Sequence, residues 1–229
     1  MFHVKHIIKF LIFQLFFILY CFSQEYNFDE FLRNYEFKIF SGEKEVGFIN
    51  IKISSTSEGY QAEVNSYTDI PILFFLGGTN NKEIERYDKN LNPLDSLIVT
   101  MRKNNEFFTS VIISSSETGE YFCKFIRKRG QKEKLKEIKI SFPIITAGNV
   151  IPFVNTDWDF EKEPKKIYNI LDKDRFEVVK LKLNYLGEDD NFYKIKATLP
   201  SYLASFIIYL DKNKNIKYAE GLGLKVYGN

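Results

Sequence analysis

The densest grouping of carboxylates beside aromatic rings is Asp157-Trp158-Asp159-Phe160-Glu161. In an extended segment Asp157, Asp159 and Glu161 share one face, and Trp158 and Phe160 share the other. Paired carboxylates beside ring platforms are what a glycosidase or sugar-binding cleft uses. The same run also suits a solvated strand edge, and both readings stand at this point. Asp211-Lys-Asn213-Lys-Asn215 begins like a calcium loop, with oxygen ligands at alternate positions. It departs from one where the sharp turn needs Gly and Ile216 stands, and where a bidentate Glu belongs and Leu222 stands. Asp172-Lys-Asp174 departs sooner, at Phe176. A solvated hairpin turn is expected at 211–215, and a metal site at neither.

Nucleophilic chemistry has little to build with. The serine runs at 54–57 and 114–116 carry no Gly-x-Ser-x-Gly elbow. Gly77-Gly78 and Gly221-Leu-Gly223 lack the third glycine and following helix of a phosphate cradle. Both histidines, His3 and His6, fall in the first 23 residues with Lys5, Lys9 and Cys21. That stretch has no acid, so it carries the whole net charge of +2, and residues 24–229 balance 30 Lys+Arg against 30 Asp+Glu. Without it the chain has no histidine, one thiol (Cys123) and no net charge. A histidine triad, a His-ligated zinc, an internal disulfide and a strongly basic nucleic-acid binder are thereby excluded. No catalytic residue and no cofactor are expected.

The leading stretch reads as a signal peptide. Two lysines precede an apolar run at 10–22, interrupted by Gln14. In a helix those residues rise about 20 Å, short of the roughly 30 Å of a hydrocarbon core. Cleavage is expected between Ser23 and Gln24, giving a signal peptide at 1–23 and one domain at 24–229. Lipid anchoring through Cys21 is the lesser expectation, because Tyr20 stands where acylation requires a small residue. The protein is therefore expected in the periplasm or outside the cell.

Period-2 alternation dominates the rest. Tyr35, Phe37 and Ile39; Ile49, Ile51 and Ile53; Tyr60, Ala62 and Val64; Ile138, Ile140 and Phe142; Val179 to Tyr185; and Tyr193 to Leu199 alternate with polar residues. Each reads as a strand with one wet face and one buried face, the pattern of antiparallel sheets. Turn signals at Ser41-Gly42, Glu58-Gly59, Asp88-Lys89-Asn90, Thr118-Gly119 and elsewhere separate them. The spacing predicts an all-β fold with minor α: a curved antiparallel sheet or half-open β-barrel of about ten to twelve strands. Helical periodicity is confined to 26–34 and a turn or two within 144–153. The stretch 142–165 holds three of the six prolines and the sole Trp158, and is expected to be a helical or irregular lid.

Two features suggest partners. Arg127-Lys128-Arg129, with Lys132 and Lys134 beyond, is expected at a hairpin tip that could touch an anionic membrane surface. The run 70–76 and the nearly bare 142–154 are apolar on both faces, which a sheet tolerates only when something covers both. The cover is either the other segment or a bound acyl chain. Aromatic residues make up 17% of the chain, in excess of what packing alone was expected to need. Phe74, Phe75, Ile144, Ile145 and Trp158 are the expected ligand contacts.

The overall layout resembles a known family. The signal peptide leads into Tyr35-Glu-Phe-Lys-Ile-Phe-Ser-Gly42 and Glu45-Val-Gly-Phe-Ile-Asn-Ile51. Arg86-Tyr-Asp-Lys-Asn-Leu-Asn-Pro-Leu94, a proline-bearing stretch and Phe206-Ile-Ile-Tyr-Leu-Asp-Lys-Asn-Lys-Asn-Ile-Lys-Tyr218 follow. These resemble the exported uncharacterised-domain family numbered 3108, which is similar to the periplasmic lipoprotein-carrier half-barrel. The resemblance implies an apolar pocket under a lid, a lipid or lipoprotein partner, and no catalytic residues. The alternatives are a sugar-binding or hydrolytic module using Asp157, Asp159 and Glu161, and an assembly partner in the envelope.

Overall fold

The computed structural model describes residues 31–69, 79–102, 105–116, 118–151, 158–189 and 191–228. Eight strands lead the order: β1 (Asn34–Ser41), β2 (Lys44–Ser55), β3 (Tyr60–Thr68), β4 (Thr79–Tyr87), β5 (Pro93–Arg102), β6 (Asn105–Ser115), β7 (Tyr121–Arg129) and β8 (Lys132–Ile140). A two-residue strand, β9 (Ile144–Ile145), precedes β10 (Lys165–Asp172), β11 (Glu177–Glu188) and β12 (Tyr193–Leu199). A 3-10 turn (Pro200–Tyr202) then leads to β13 (Ala204–Leu210), β14 (Ile216–Gly221) and β15 (Leu224–Gly228).

All belong to one open curved sheet in the order β8-β7-β6-β5-β4-β3-β2-β1-β15-β14-β13-β12-β11-β10-β9. The fold class is the expected one, with fifteen described strands rather than ten to twelve. The extra strands come from segments whose buried positions are polar or very short, as in β4 and β9. The first and last strands meet mid-sheet, where Phe37 pairs with Gly228 and Ser41 with Leu224. Both termini of the fold are thus pinned at its centre, and the two edges are formed by β8 and β9.

Those edges are joined by three residues, Ser141 to Pro143. At ~3.3–3.6 Å per residue the link spans at most about 14 Å, so the sheet must curl until its ends approach. Side chains complete what the ladder leaves open. Val111, Cys123, Phe125 and Ile140 from one end pack against Ile144, Leu171 and Phe176 from the other. Phe125 and Phe176 stack with ring centroids 4.9 Å apart. Phe176 does so from a left-handed backbone, φ 60°, a conformation a bulky residue adopts only when its surroundings compensate.

The segment after β9 enters the concavity rather than lying over it. Thr146 and Asn149 are buried, and Ile151 joins Phe31, Tyr87 and Leu91 in the core. The Asn149 amide donates to the carbonyls of Leu91 (3.0 Å) and Ile144 (3.2 Å), while its oxygen accepts from the Thr146 amide (2.7 Å). Of the stretch 142–165, where a lid was expected, residues 144–151 form an internal plug, and 158–164 form a turn that buries Trp158 and Phe160 and leaves Asp159, Glu161, Lys162 and Glu163 exposed.

The outer face carries a cross-strand row that explains part of the aromatic excess. Tyr209 pairs with Tyr218, Tyr218 with Tyr227, Tyr227 with Lys38, Lys38 with Phe48, and Phe48 with Tyr67. The Tyr209 and Tyr218 rings stack 4.1 Å apart. Such pairs stabilise a sheet by about 0.2–1 kcal/mol each, so these rings serve the scaffold.

Removing the stacked ring that joins the two ends should be costly. Phe176→Ala is expected to destabilise the fold by about 3–5 kcal/mol, read as a lower urea midpoint. A change below about 1 kcal/mol would mean the two ends are held together elsewhere.

Candidate functional site

The inward side chains of adjacent strands form rows across the concave face, and each row changes character at β3 or β4. One runs Phe37, Ile49, Ser66, Asn81, Thr100. The next runs Ile51, Val64, Glu83, Ile98, Thr109, Arg127. A cavity of about 380 Å³ lies against them. On one side its wall is Phe37, Ile39, Ile49, Ile208, Ala219 and Val226; on the other it is Ser66, Asn81, Glu83, Thr100, Thr109 and Arg127. The plug supplies Ile145 to Ala147, Val150 and Ile151. A volume of this size falls in the range of small-molecule pockets, about 300–1,000 Å³.

The polar side is held by a buried charge cluster. Lys173, in the turn between β10 and β11, donates to the carboxylates of Glu83 and Glu85 on β4. Glu85 also accepts from the Tyr87 hydroxyl and from the Gly148 amide of the plug at 2.6 Å, and Tyr87 meets the Thr146 hydroxyl at 2.6 Å. Asp172 builds the turn that presents Lys173. One of its oxygens accepts from the amides of Asp174 (3.0 Å) and Arg175 (3.1 Å), and the other from the Tyr202 hydroxyl. Beside it, Arg127 donates to Thr109 Oγ1 (2.9 Å), the Lys173 carbonyl (2.9 Å) and Asp174 Oδ1 (3.3 Å).

Two acids sharing one ammonium cannot be equivalent. Burial pushes Glu83 from 4.5 up to about 8, and the neighbouring Glu85 charge adds to burial, while Lys173 opposes them. Burial also pushes Glu85 up, but the Lys173 charge and the hydrogen bonds from Lys173, Tyr87 and Glu83 together bring it below its ordinary value. Burial disfavours the Lys173 ammonium, and the two carboxylates more than restore it, holding its pKa above the usual lysine range. At neutral pH the proton therefore stays on Glu83, and Glu85 with Lys173 forms the ion pair.

The expected ligand contacts separate on this frame. Ile145 lines the cavity; Ile144 lies in the cluster that joins the two ends of the sheet. Trp158 is 1% exposed in the core under β10 to β13, where its Nε1 donates to the Glu163 carbonyl at 2.7 Å. Phe74, Phe75, Cys21 and the Ser23–Gln24 cleavage position lie outside the described residues, as does Asp157. Asp159 is bound to Lys162 at 2.8 Å, and that hydrogen bond holds its carboxyl below the ordinary range. Glu161 is exposed in the same turn. Trp158 and Phe160, the two rings that alternate with these carboxylates in the sequence, are both buried.

Of the basic cluster, Arg127 turns inward to Thr109, while Lys128 pairs with Glu133 (3.3 Å) and Arg129 lies over the Phe107 ring (4.8 Å). The Asp211 carboxylate accepts from the Asn213 and Asn215 amides, both at 2.9 Å, closing its own hairpin. Cys123 is buried, and burial pushes its thiol up to about 12. Comparison with family models, curated proteins and solved structures gives no match.

Sequence reading passed over Glu83, Glu85, Tyr87 and Lys173. Their one signal is that Thr79, Asn81, Glu83, Glu85 and Tyr87 share a period-2 face whose alternate residues are Asn80, Lys82, Ile84 and Arg86. Hydrophobicity assigns neither face to the core.

Two outcomes follow from the cluster. A Glu83 proton that survives folding but not unfolding contributes stability that is present below about pH 4.5 and is lost as pH rises to about 8. Glu85, lowered, acts below that window, and Lys173, raised, acts above it. Urea midpoints should therefore fall between about pH 5 and pH 8 in the wild type and much less in Glu83→Gln. Equal slopes would place the proton elsewhere. A Cβ on Gly148 would overlap the Glu85 carboxylate, the Ala62 Cβ and the Tyr87 hydroxyl. Gly148→Ala is expected to cost about 1–3 kcal/mol, read as a lower melting temperature.

Proposed function

We propose that the chain is an exported envelope protein that binds an apolar ligand, a lipid or acyl chain, without catalysing a reaction. The observation that supports this is the 380 Å³ cavity on the concave face, walled on one side by isoleucine, valine and phenylalanine. An acyl chain placed there would gain about 25 cal/mol for each Å² of apolar surface withdrawn from water, before association costs. Export rests on the leader at 1–23, and the lipid or lipoprotein partner on the family resemblance. Both are parts of the proposal. The sugar-binding reading has less behind it, since Asp159 is paired with Lys162 and the neighbouring rings are buried.

Ala219 offers a clean test. It lies between Ile208 and Val226 on adjacent strands and faces the cavity, where its small side chain leaves room. Titration of the full chain with the apolar fluorophore N-phenyl-1-naphthylamine should give a saturable rise in emission. Ala219→Trp should weaken that binding by about tenfold or more, which is 1.4 kcal/mol, with an unchanged circular dichroism spectrum. No saturable binding, or equal binding by the folded variant, would contradict the proposal.

A further inference from the structure

The cavity wall is divided, and its polar part restricts the ligand further. Resting on the binding function proposed above, we infer that the ligand is an amphiphile with an uncharged, hydrogen-bonding head, such as a glycerol ester or long-chain alcohol, whose head lies on the Ser66–Asn81–Thr100 row.

Three observations carry this. The first is Ser66. It is 2% exposed, lines the cavity, and its Oγ has no hydrogen-bond partner among the described residues. A buried hydroxyl without a partner costs about 1–3 kcal/mol, and a ligand oxygen on that row would remove the deficit. Ser96 Oγ also lacks a partner, but it is not part of the cavity wall. The second is position. Ser66 pairs with Asn81 and Asn81 with Thr100, so three neutral polar side chains lie side by side on β3, β4 and β5. On the other side of Ser66 the same row continues through Ile49 to Phe37. The division between head and tail therefore falls at β3.

The third is charge. Each ionisable side chain in the wall already has a partner within the protein: the protonated Glu83 is bound to Lys173, and Arg127 to Asp174. Lys173 is further committed to Glu85. A carboxylate or phosphate head would meet cations that are already neutralised, next to the Glu85 and Asp174 charges. A quaternary ammonium would meet Lys173 and Arg127. Either ion would leave water for a low-dielectric site without gaining a free counter-charge, which costs several kcal/mol. A hydroxyl or ester oxygen has no such cost and finds Ser66 unpaired. The volume fits a short chain: 380 Å³ holds about a dozen groups of ~30 Å³ each, the share of one water and close to that of one methylene.

The test uses three probes with one tail, 1-hexanoylglycerol, hexanoate and hexyltrimethylammonium, the ester having about the dozen heavy atoms that the cavity holds. Each is titrated into the full chain by calorimetry below its micelle concentration. The glycerol ester should bind at least about tenfold tighter than either ion. Ser66→Ala should weaken the glycerol ester by roughly two- to tenfold and leave the ions unchanged. It should not lower the melting temperature, because it removes a hydroxyl that has no partner in the free protein. Either ion binding as tightly as the ester would overturn the inference, and so would a folded Ser66→Ala that binds the ester as the wild type does. If the apolar fluorophore binds and no amphiphile does, the head assignment alone falls. If neither binds, the binding function falls with it.

Discussion

A single ammonium ties this sheet to itself. Lys173 sits at the tip of the β10–β11 hairpin, and the carboxylates it holds stand on β4, separated from β10 by eight other strands in the sheet order. The ladder cannot bring those elements together, so the contact crosses the concavity. Burying three ionisable groups is expensive, and a pair left incomplete costs several kcal/mol more than a complete one. The geometry that satisfies Lys173 is therefore strongly specified. It requires the curl, places the plug so that the Gly148 amide reaches Glu85, and leaves the space between plug and sheet as the cavity.

The polar side of that cavity follows from the same constraint. A concave face packed entirely with isoleucine and valine would have no reason to stay open. Here the rows turn polar at β3 or β4 because the acids must reach Lys173, and Ser66, Asn81, Thr100 and Thr109 line the approach. Arg127 extends the cluster to β7, binding the backbone of the turn that carries Lys173. The acids and the lysine hold the shape, and under the proposed binding function the neutral hydroxyls and amide beside them are what a ligand would meet.

Much of the scaffold was legible from period-2 alternation, because Ile49, Ile51 and Ile53 or Val179, Leu181 and Leu183 leave no doubt which face is buried. β4 was not, since its inward residues are Glu83, Glu85 and Tyr87, and an apolar scale sends two of them to solvent. The inward course of 144–151 was not legible either: the prolines of 142–165 mark an irregular stretch without saying where it runs, and only the carbonyls of Leu91 and Ile144 around Asn149 explain its burial. Trp158 was legible as important, but its type could not distinguish core from ligand wall. Of the expected contacts among the described residues, Ile145 alone is found on the cavity. Arg127 stood out by charge, yet its inward turn depends on Thr109 and on a hairpin 46 residues away, a separation that no local pattern encodes.

The claim that the Lys173 cluster holds the plug and the curl can be measured by amide hydrogen exchange on wild type and Lys173→Met under conditions where both are folded. The Gly148 amide, whose acceptor is Glu85, and the amides of 144–151 should lose protection in the variant, while β12 and β13, paired through seven residues, keep theirs. Unchanged protection at Gly148 in a folded Lys173→Met would contradict the account, because the plug would then be held without the charge that is said to hold it.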